Sequence, residues 1–208
     1  MKKKIDCSWH KYVDLGLPSG LLWATCNIGA SEPWESGLYF SWGNVDGHGN
    51  EPRYDFNNVV YQATPGAALT DNIPVDAKHD AARANLGGGW RMPTKDEFKE
   101  LYDNCTTVWT TQNDVDGRMF FSRINGNSMF FPAAGYYIES MLINEGSSGC
   151  YWSSSLNSLI LQAYYAHEFS FNGITATPQN YDNTFLGFTV RPVLDHPKDS
   201  LLIRAIKR

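Results

Sequence analysis

Residues 94–105 read Thr94-Lys95-Asp96-Glu97-Phe98-Lys99-Glu100-Leu101-Tyr102-Asp103-Asn104-Cys105. Thr94 and Glu97 have the spacing of a capping box, in which each side chain bonds the backbone N–H of the other residue. Apolar side chains recur at the i, i+3, i+4, i+7 spacing of one helix face, at Phe98, Leu101, Tyr102 and Cys105. The stretch therefore predicts a helix over about 95–104 that packs one face against a sheet.

A second helix is predicted just upstream, from about Asp76 to Leu86. The segment is rich in Ala, which has the highest helix propensity, and Gly87 follows it as a C-cap. After residue 106 the helical spacing ends, and short apolar runs alternate with turn residues. Two helices followed by antiparallel strands are typical of the α+β class.

The clearest strand signal is a hairpin. Met119–Arg123 and Ser128–Phe131 are apolar runs on either side of Asn125-Gly126, a turn dipeptide that favours a tight reversal. Further strands are predicted at about 163–172 and at Phe185–Val193. Two segments are predicted as loops from their turn-forming residues: 139–149 and Asn180–Thr184.

Composition excludes several classes of protein. The chain has 208 residues, 42% of them hydrophobic and 14% aromatic, which is enough apolar surface for one globular domain. No run approaches the 18 apolar residues of a membrane span. The net charge of -5 argues against a protein that binds nucleic acid electrostatically.

Three regions are distinguished along the chain: an N-terminal extension (1–11), one domain (12–194) and a C-terminal tail (195–208). The basic start Lys2–Lys4 is followed at once by Asp6 and His10 rather than by an apolar run. We therefore expect no signal peptide in this chain. The cysteines are widely spaced and show no zinc-type pairing; free thiols and a single disulfide both stay open.

Seven motifs, which follow one another along the chain, are more specific than these general patterns. They are Tyr12–Gly20, Leu22–Ala30, Tyr39–Gly43, Trp90–Thr94 with Glu97-Phe98, Asn125–Asn127 with Phe131–Tyr136, Tyr151–Ser155, and Gly187–Val193. Together they resemble the C-type-lectin-fold proteins of gut bacteria and their phages that serve as variable proteins of diversity-generating retroelements. The C-terminal third also resembles formylglycine-generating-enzyme-type domains.

The resemblance implies a C-type lectin fold with two helices packed on small antiparallel sheets and long irregular loops. It also implies that a retroelement rewrites codons in the last part of the gene, so that one solvent-facing surface varies. We expect the variable segment at about 156–186. Rewriting of adenines in Asn codons does not produce Gln or Glu, so Gln162, Glu168 and Gln179 are interpreted as constant framework.

Residues 146–190 have the composition of an adaptable binding surface. Only Glu168 and Asp182 carry formal charge there, and Tyr, Ser, Asn and Gly are frequent. A buried aromatic core is the alternative for any single aromatic residue of the segment. The predicted ligand-binding residues, expected to converge on one patch, are Leu159, Ile160, Leu161, Tyr164, Tyr165, His167, Asn180, Tyr181, Asp182, Asn183 and Phe185.

The sequence predicts no catalytic residues, no metal site and no cofactor. Formylglycine-generating enzymes use two cysteines in the C-terminal part, where this chain has Cys150 alone. His167 and Glu168 are neighbours in a predicted strand and so point to opposite faces. Arg91 and Arg191 are interpreted as framework residues that satisfy buried carbonyls or carboxylates, Glu97 or Asp14 among them. Three tryptophans are predicted to be core, each with a partner for its N–H: Trp23, Trp42 and Trp152.

We therefore expect a binding protein rather than an enzyme, encoded by a phage or prophage. Its partner would be a protein or glycan on a cell surface, with neither nucleic acid binding nor membrane insertion, and a homo-oligomer or a virion partner stays open. The expected location is the virion, or the cytoplasm before assembly, and the alternative is the cell surface. The rival functions are a bacterial cell-surface or fimbria-associated adhesion module, a formylglycine-generating-type enzyme, and a purely structural virion protein.

Overall fold

The computed structural model describes residues 11–48, 73–74, 77–157 and 165–195, with the backbone alone at 73–74. Within these ranges the chain forms two helices, α1 (Ala81–Leu86) and α2 (Lys95–Asn104), and fifteen strands. The strands are β1 (Tyr12–Asp14), β2 (Leu22–Ala24), β3 (Tyr39–Phe40), β4 (Ile73–Pro74), β5 (Trp90–Arg91), β6 (Cys105–Gln112), β7 (Val115–Ser122), β8 (Ser128–Pro132), β9 (Tyr136–Ile138), β10 (Met141–Ile143), β11 (Ser148–Asn157), β12 (Tyr165–Asn172), β13 (Ala176–Asn183), β14 (Phe188–Thr189) and β15 (Val193–Leu194). The predicted α+β class is confirmed, with strands predominating.

The strands of the described ranges form four sheets. Their orders are β1-β2-β15-β5, β13-β12-β11-β14-β3 with β4 beside β11, β6-β7-β8, and β10-β9. The pairings between these strands are antiparallel except for the parallel contact of β11 with β14, at Tyr151 and Thr189. Strand β13 is therefore an edge of the largest sheet, and β6 is an edge of the three-stranded sheet.

Helix α2 is confirmed at its predicted position. Thr94 is the N-cap, its side chain accepts from the Glu97 N–H at 3.2 Å, and the Glu97 carboxylate accepts from the Thr94 N–H at 2.7 Å. Helix α1 begins at Ala81, later than predicted, because Asp80 is the N-cap and accepts from the Arg83 N–H. Gly87 ends the helix with a φ of 68°, which suits glycine because it has no Cβ.

The Asn125-Gly126 hairpin is also confirmed. It joins β7 to β8, with Phe121 opposite Ser128 and Gly126 at a φ of 78°. The Ser122 N–H donates to the Asn127 carbonyl at 2.8 Å, which closes the turn. A second hairpin, β6–β7, was not predicted because its sequence lacks a glycine turn. Asn113 and Asp114 take the positive φ values there instead.

Three predicted segments are corrected by the structure. Residues 180–183, predicted as part of a loop, complete strand β13, because pairing with β12 supplies the backbone bonds that the polar composition did not suggest. The predicted strand Phe185–Val193 is two separate two-residue strands, β14 and β15, in different sheets. The predicted loop 139–149 contains strand β10, which pairs with β9.

The core contains the three predicted tryptophans, all buried. The Trp42 indole N–H donates to the Ser153 carbonyl at 2.7 Å, and that of Trp152 donates to the Phe40 carbonyl at 2.8 Å. The Trp23 N–H, buried between Phe98 and Phe131, has no hydrogen-bond partner among the residues that the structure describes. The expectation of one partner each is therefore wrong for Trp23.

Both predicted framework arginines satisfy buried or half-buried acceptors. Arg91 donates to both carboxylate oxygens of Glu97 and also pairs with Asp195. Arg191 is buried and donates to four oxygen atoms without a carboxylate among them. Those oxygens belong to Ala24, Thr25, Asn27 and Phe130, so the expected Asp14 partner is not used.

Candidate ligand-binding surface

The described part of the predicted surface is the hairpin of β12 and β13, called here the edge hairpin (residues 165–183). Its two strands pair antiparallel, with Tyr165 opposite Asn183 and His167 opposite Tyr181. Strand β12 also pairs with β11, so β13 is the strand of the hairpin that lies at the edge of the sheet. The end of the hairpin at Tyr165 also pairs with Asn157, the last residue of β11.

One face of the edge hairpin carries an aromatic group around Tyr181. The Tyr181 ring stands edge-on to Tyr165 at 5.9 Å and to His167 at 6.2 Å between ring centroids. Tyr181 is 48% exposed, whereas His167 is buried and its Nδ1 lies 3.3 Å from the Asn180 carbonyl oxygen. Tyr165 is half-buried, so Tyr181 is the most exposed ring of this group.

The opposite face carries polar side chains. Because successive residues of a strand point to opposite sides, Asn180 and Asp182 lie across the sheet from Tyr181. The Asn180 amide donates to Glu168 Oε1 at 2.7 Å and to Ser170 Oγ at 3.2 Å. Asp182 Oδ1 accepts from the Asn183 N–H at 2.7 Å. The described members of the predicted set on the edge hairpin thus lie on two opposite faces of the sheet, so the expectation that they converge on one patch is wrong for Asn180 and Asp182.

Phe185 lies past the end of β13 and is half-buried. It packs against the core cluster that contains Trp152 and Phe188. Part of its side chain therefore serves the fold rather than an open surface. Four predicted residues lie outside the described ranges: Leu159, Ile160, Leu161 and Tyr164. The assignment of the whole set to ligand binding stays a prediction.

Glu168, which the sequence predicts to be constant framework, is the buried carboxylic acid at this edge. Glu168 is 2% exposed. Its Oε1 accepts from Asn180, and its Oε2 has no hydrogen-bond partner in the part of the chain that the structure describes. Burial raises the pKa of Glu168 to about 8, and the nearby Asp182 carboxylate adds to the rise, while the Asn180 hydrogen bond opposes it. The sequence does mark this residue, because Glu168 and Asp182 are the only charged residues in the otherwise uncharged segment 146–190.

Cys150 lies beside Glu168 on the neighbouring strand. Burial raises the pKa of the Cys150 thiol, and the Glu168 carboxyl raises it further. A thiol held in its protonated form is a poor nucleophile. Within the described ranges, no group of three or more His, Cys, Asp or Glu side chains is placed to hold a metal ion. The cluster is better suited to fixing strand positions than to covalent chemistry.

Because the pKa of Glu168 is raised in the folded protein, we expect the free energy of unfolding to depend on pH. The folded protein holds a proton up to about pH 8 that the unfolded chain releases near its ordinary pKa of 4.5. The contribution of this group to the free energy of unfolding therefore falls as pH rises from about 5 to 8, by on the order of 4 kcal/mol. We expect Glu168→Gln to match the parent at pH 5 and to be more stable at pH 8, by chemical denaturation at both pH values.

The matched control for that experiment is Glu32→Gln, since Glu32 is exposed. It makes the same chemical change outside the cluster and should leave the stability difference between pH 5 and pH 8 as it is in the parent. A Glu168→Gln variant that follows the parent at every pH would contradict the buried, protonated carboxyl.

Comparisons with known proteins give no relative to report: no family model, curated protein or solved structure matches this chain. Among the helices of the described ranges, none has the length and apolar character needed to cross a membrane.

Proposed function

We propose that this chain is a ligand-binding protein with a C-type lectin fold, and that the edge hairpin belongs to its variable binding surface. The observation that carries the proposal is the placement of Tyr181, nearly half exposed on the outermost strand of the largest sheet. Binding surfaces are commonly organised around such an aromatic anchor, with polar groups at its margin.

The surroundings of Tyr181 support an anchor that is held in place before a ligand arrives. Tyr165 and His167 contact its ring edge-on, which limits the orientations of the side chain. On the opposite face of the same edge, Asp182 accepts from the Asn183 backbone N–H and Asn180 donates to Glu168, which orders the strand that carries Tyr181. A ligand that binds Tyr181 therefore meets a ring that is already ordered, so less conformational entropy is lost on binding.

The proposed setting is a phage or prophage whose protein contacts a host surface, with display on a bacterial cell as the alternative. The motifs that resemble variable proteins of diversity-generating retroelements support this setting. The gene neighbourhood tests it directly. We expect a reverse transcriptase gene and a near-copy of the 3′ end of this gene that differs at adenines. A completed genome without both would overturn the variable-protein part of the proposal.

Replacing Tyr181 with Ala should weaken binding by about tenfold or more, as for a hot-spot tyrosine. The free energy of unfolding should fall by less than about 0.5 kcal/mol, because the side chain is at the surface. The measurement is titration of labelled protein onto intact cells of a gut-bacterial panel, with stability followed by denaturation.

Tyr12→Ala is the matched control for Tyr181→Ala. Tyr12 has a similar exposure, 55%, but lies in β1 of a different sheet. Its replacement should leave cell binding unchanged. Equal losses of binding in the two variants, or unchanged binding by Tyr181→Ala, would count against the edge hairpin as the contact surface.

A further inference from the structure

Strand β6 has one edge along which its backbone bonds no other strand of the described ranges. The Arg123 N–H donates to the Asn104 carbonyl at 3.0 Å, which sets the alternation of the β6–β7 ladder: even-numbered residues face β7. The backbone N–H and C=O groups of Thr107, Trp109 and Thr111 therefore point away from the sheet. Within the described ranges, no backbone hydrogen bond joins these three residues to another element.

The side chains of β6 include none of the features that usually prevent an edge strand from pairing with another strand. Its eight residues, Cys105–Gln112, include no charged residue and no proline. Natural edge strands usually carry Lys, Pro or a bulge that discourages pairing with another strand, and β6 pairs with β7 through eight consecutive positions without a bulge. Nothing in its sequence or register therefore opposes the addition of a strand.

The outward face of the same sheet is uncharged as well. It carries Thr106, Val108, Thr110, Gln112, Val115, Gly117, Met119, Phe121, Ser128, Phe130 and Pro132, of which Gly117, Phe130 and Pro132, away from the β6 edge, are buried. Val108 is 52% exposed and Phe121 is 42% exposed. The Trp109 side chain lies on the inner face, where its ring contacts Phe171, so it does not block the edge.

We propose that β6 pairs with β6 of a second copy of this chain, antiparallel and about a two-fold axis at Trp109. The three outward-facing residues are symmetrical about Trp109, so Thr107 meets Thr111 of the second copy and Trp109 meets its own counterpart. Each such pair exchanges two backbone hydrogen bonds. Val108 then lies opposite Thr110 of the second copy, which continues the uncharged face across the axis.

The absence of charge favours a second copy as the occupant. A charged strand that meets its own copy brings like charges together, whereas β6 carries none. Pairing about this two-fold axis also gives partners to the outward-facing backbone groups of Thr107, Trp109 and Thr111 in both copies. This inference does not depend on the proposed ligand-binding function, because β6 and β13 belong to different sheets.

Light scattering of the full chain after size-exclusion chromatography tests the proposal. We expect a mass that approaches twice the 23.4 kDa of one chain as concentration rises. Thr111→Pro removes an outward-facing N–H that plays no part in the β6–β7 ladder, and it should return the protein to one chain. Thr111→Ala is the matched control: it also loses the Thr111 hydroxyl bond to Asp116 but keeps the N–H, so it should remain a dimer.

A second variant keeps the test decisive if Thr111→Pro does not fold. Val108→Lys places a charge on the exposed face beside the axis and should lower the dimer population at least tenfold, while Val108→Thr should not. In the parent dimer, the amides of Thr107, Trp109 and Thr111 should exchange with solvent more slowly than in Val108→Lys. A single-chain mass at every concentration, or a dimer that survives both disruptive variants, would overturn the proposal.

Discussion

Replacing Arg191 with Met is expected to lower the free energy of unfolding by about 3–5 kcal/mol. The buried guanidinium donates to the carbonyls of Thr25 at 2.6 Å, Phe130 at 3.0 Å and Ala24 at 3.2 Å, and to Asn27 Oδ1 at 2.7 Å. Met fills similar space but donates nothing, so these oxygens lose the donor that bridges them. Chemical denaturation of parent and variant measures the loss.

Two further variants show whether the effect comes from this arrangement of donors. Arg123→Met is the matched control, since exposed Arg123 donates to a single carbonyl, that of Asp103. It should cost less than about 1 kcal/mol. Arg191→Lys should lie between the two, because one ammonium group cannot reach all four oxygens with the geometry of a guanidinium. Equal stability of Arg191→Met and Arg123→Met would show that the four contacts contribute little.

Replacing Trp152 with Ala should also cost about 3–5 kcal/mol. The ring is buried and stacks on Phe188 with 4.1 Å between centroids. Its N–H donates to the Phe40 carbonyl, which joins β11 to β3 across the largest sheet. Truncation therefore leaves a cavity and an unpaired carbonyl together. The measurement is the denaturation midpoint and slope of the variant against the parent.

Trp152→Phe and Tyr181→Ala separate the parts of that effect. Trp152→Phe keeps most of the ring but loses the N–H, so its cost should be well below that of the Ala variant. Tyr181→Ala removes a surface aromatic and should cost less than about 0.5 kcal/mol. If Trp152→Ala and Tyr181→Ala lose the same stability, residues 152 and 181 have equivalent environments, and the surface interpretation of the edge hairpin is wrong.

Elements that depend on neighbouring residues in the chain were predictable. Helix α2 follows from the Thr94–Glu97 capping box and a regular apolar spacing, and the β7–β8 hairpin follows from Asn125-Gly126. In both, the stabilising contacts join residues only a few positions apart. The burial of Trp152 and the Arg91–Glu97 pair were predictable for a related reason, because residue chemistry leaves few alternatives for such side chains.

Strand β13 could not be predicted from neighbouring residues, because it depends on a partner strand. Asn180–Asn183 has the composition of a loop, yet β12 supplies a partner for its backbone, and that pairing outweighs the weak strand propensity of Asn and Asp. The same alternation places Tyr181 and Asp182 on opposite faces of the sheet, so residues adjacent in sequence do not share one surface.

The sequence alone was sufficient for the α+β class, the α2 helix, the hairpin at Asn125-Gly126 and the burial of Trp23, Trp42 and Trp152. Tertiary contacts were needed to reveal the buried Glu168 beside Cys150, the four oxygens around Arg191 and the edge of β6 that no described strand pairs. Glu168 and Cys150 are separated by 18 positions, and Arg191 and Thr25 by 166. Such contacts depend on which strands become neighbours, and strand neighbours are chosen by the packing of the whole core rather than by any local pattern.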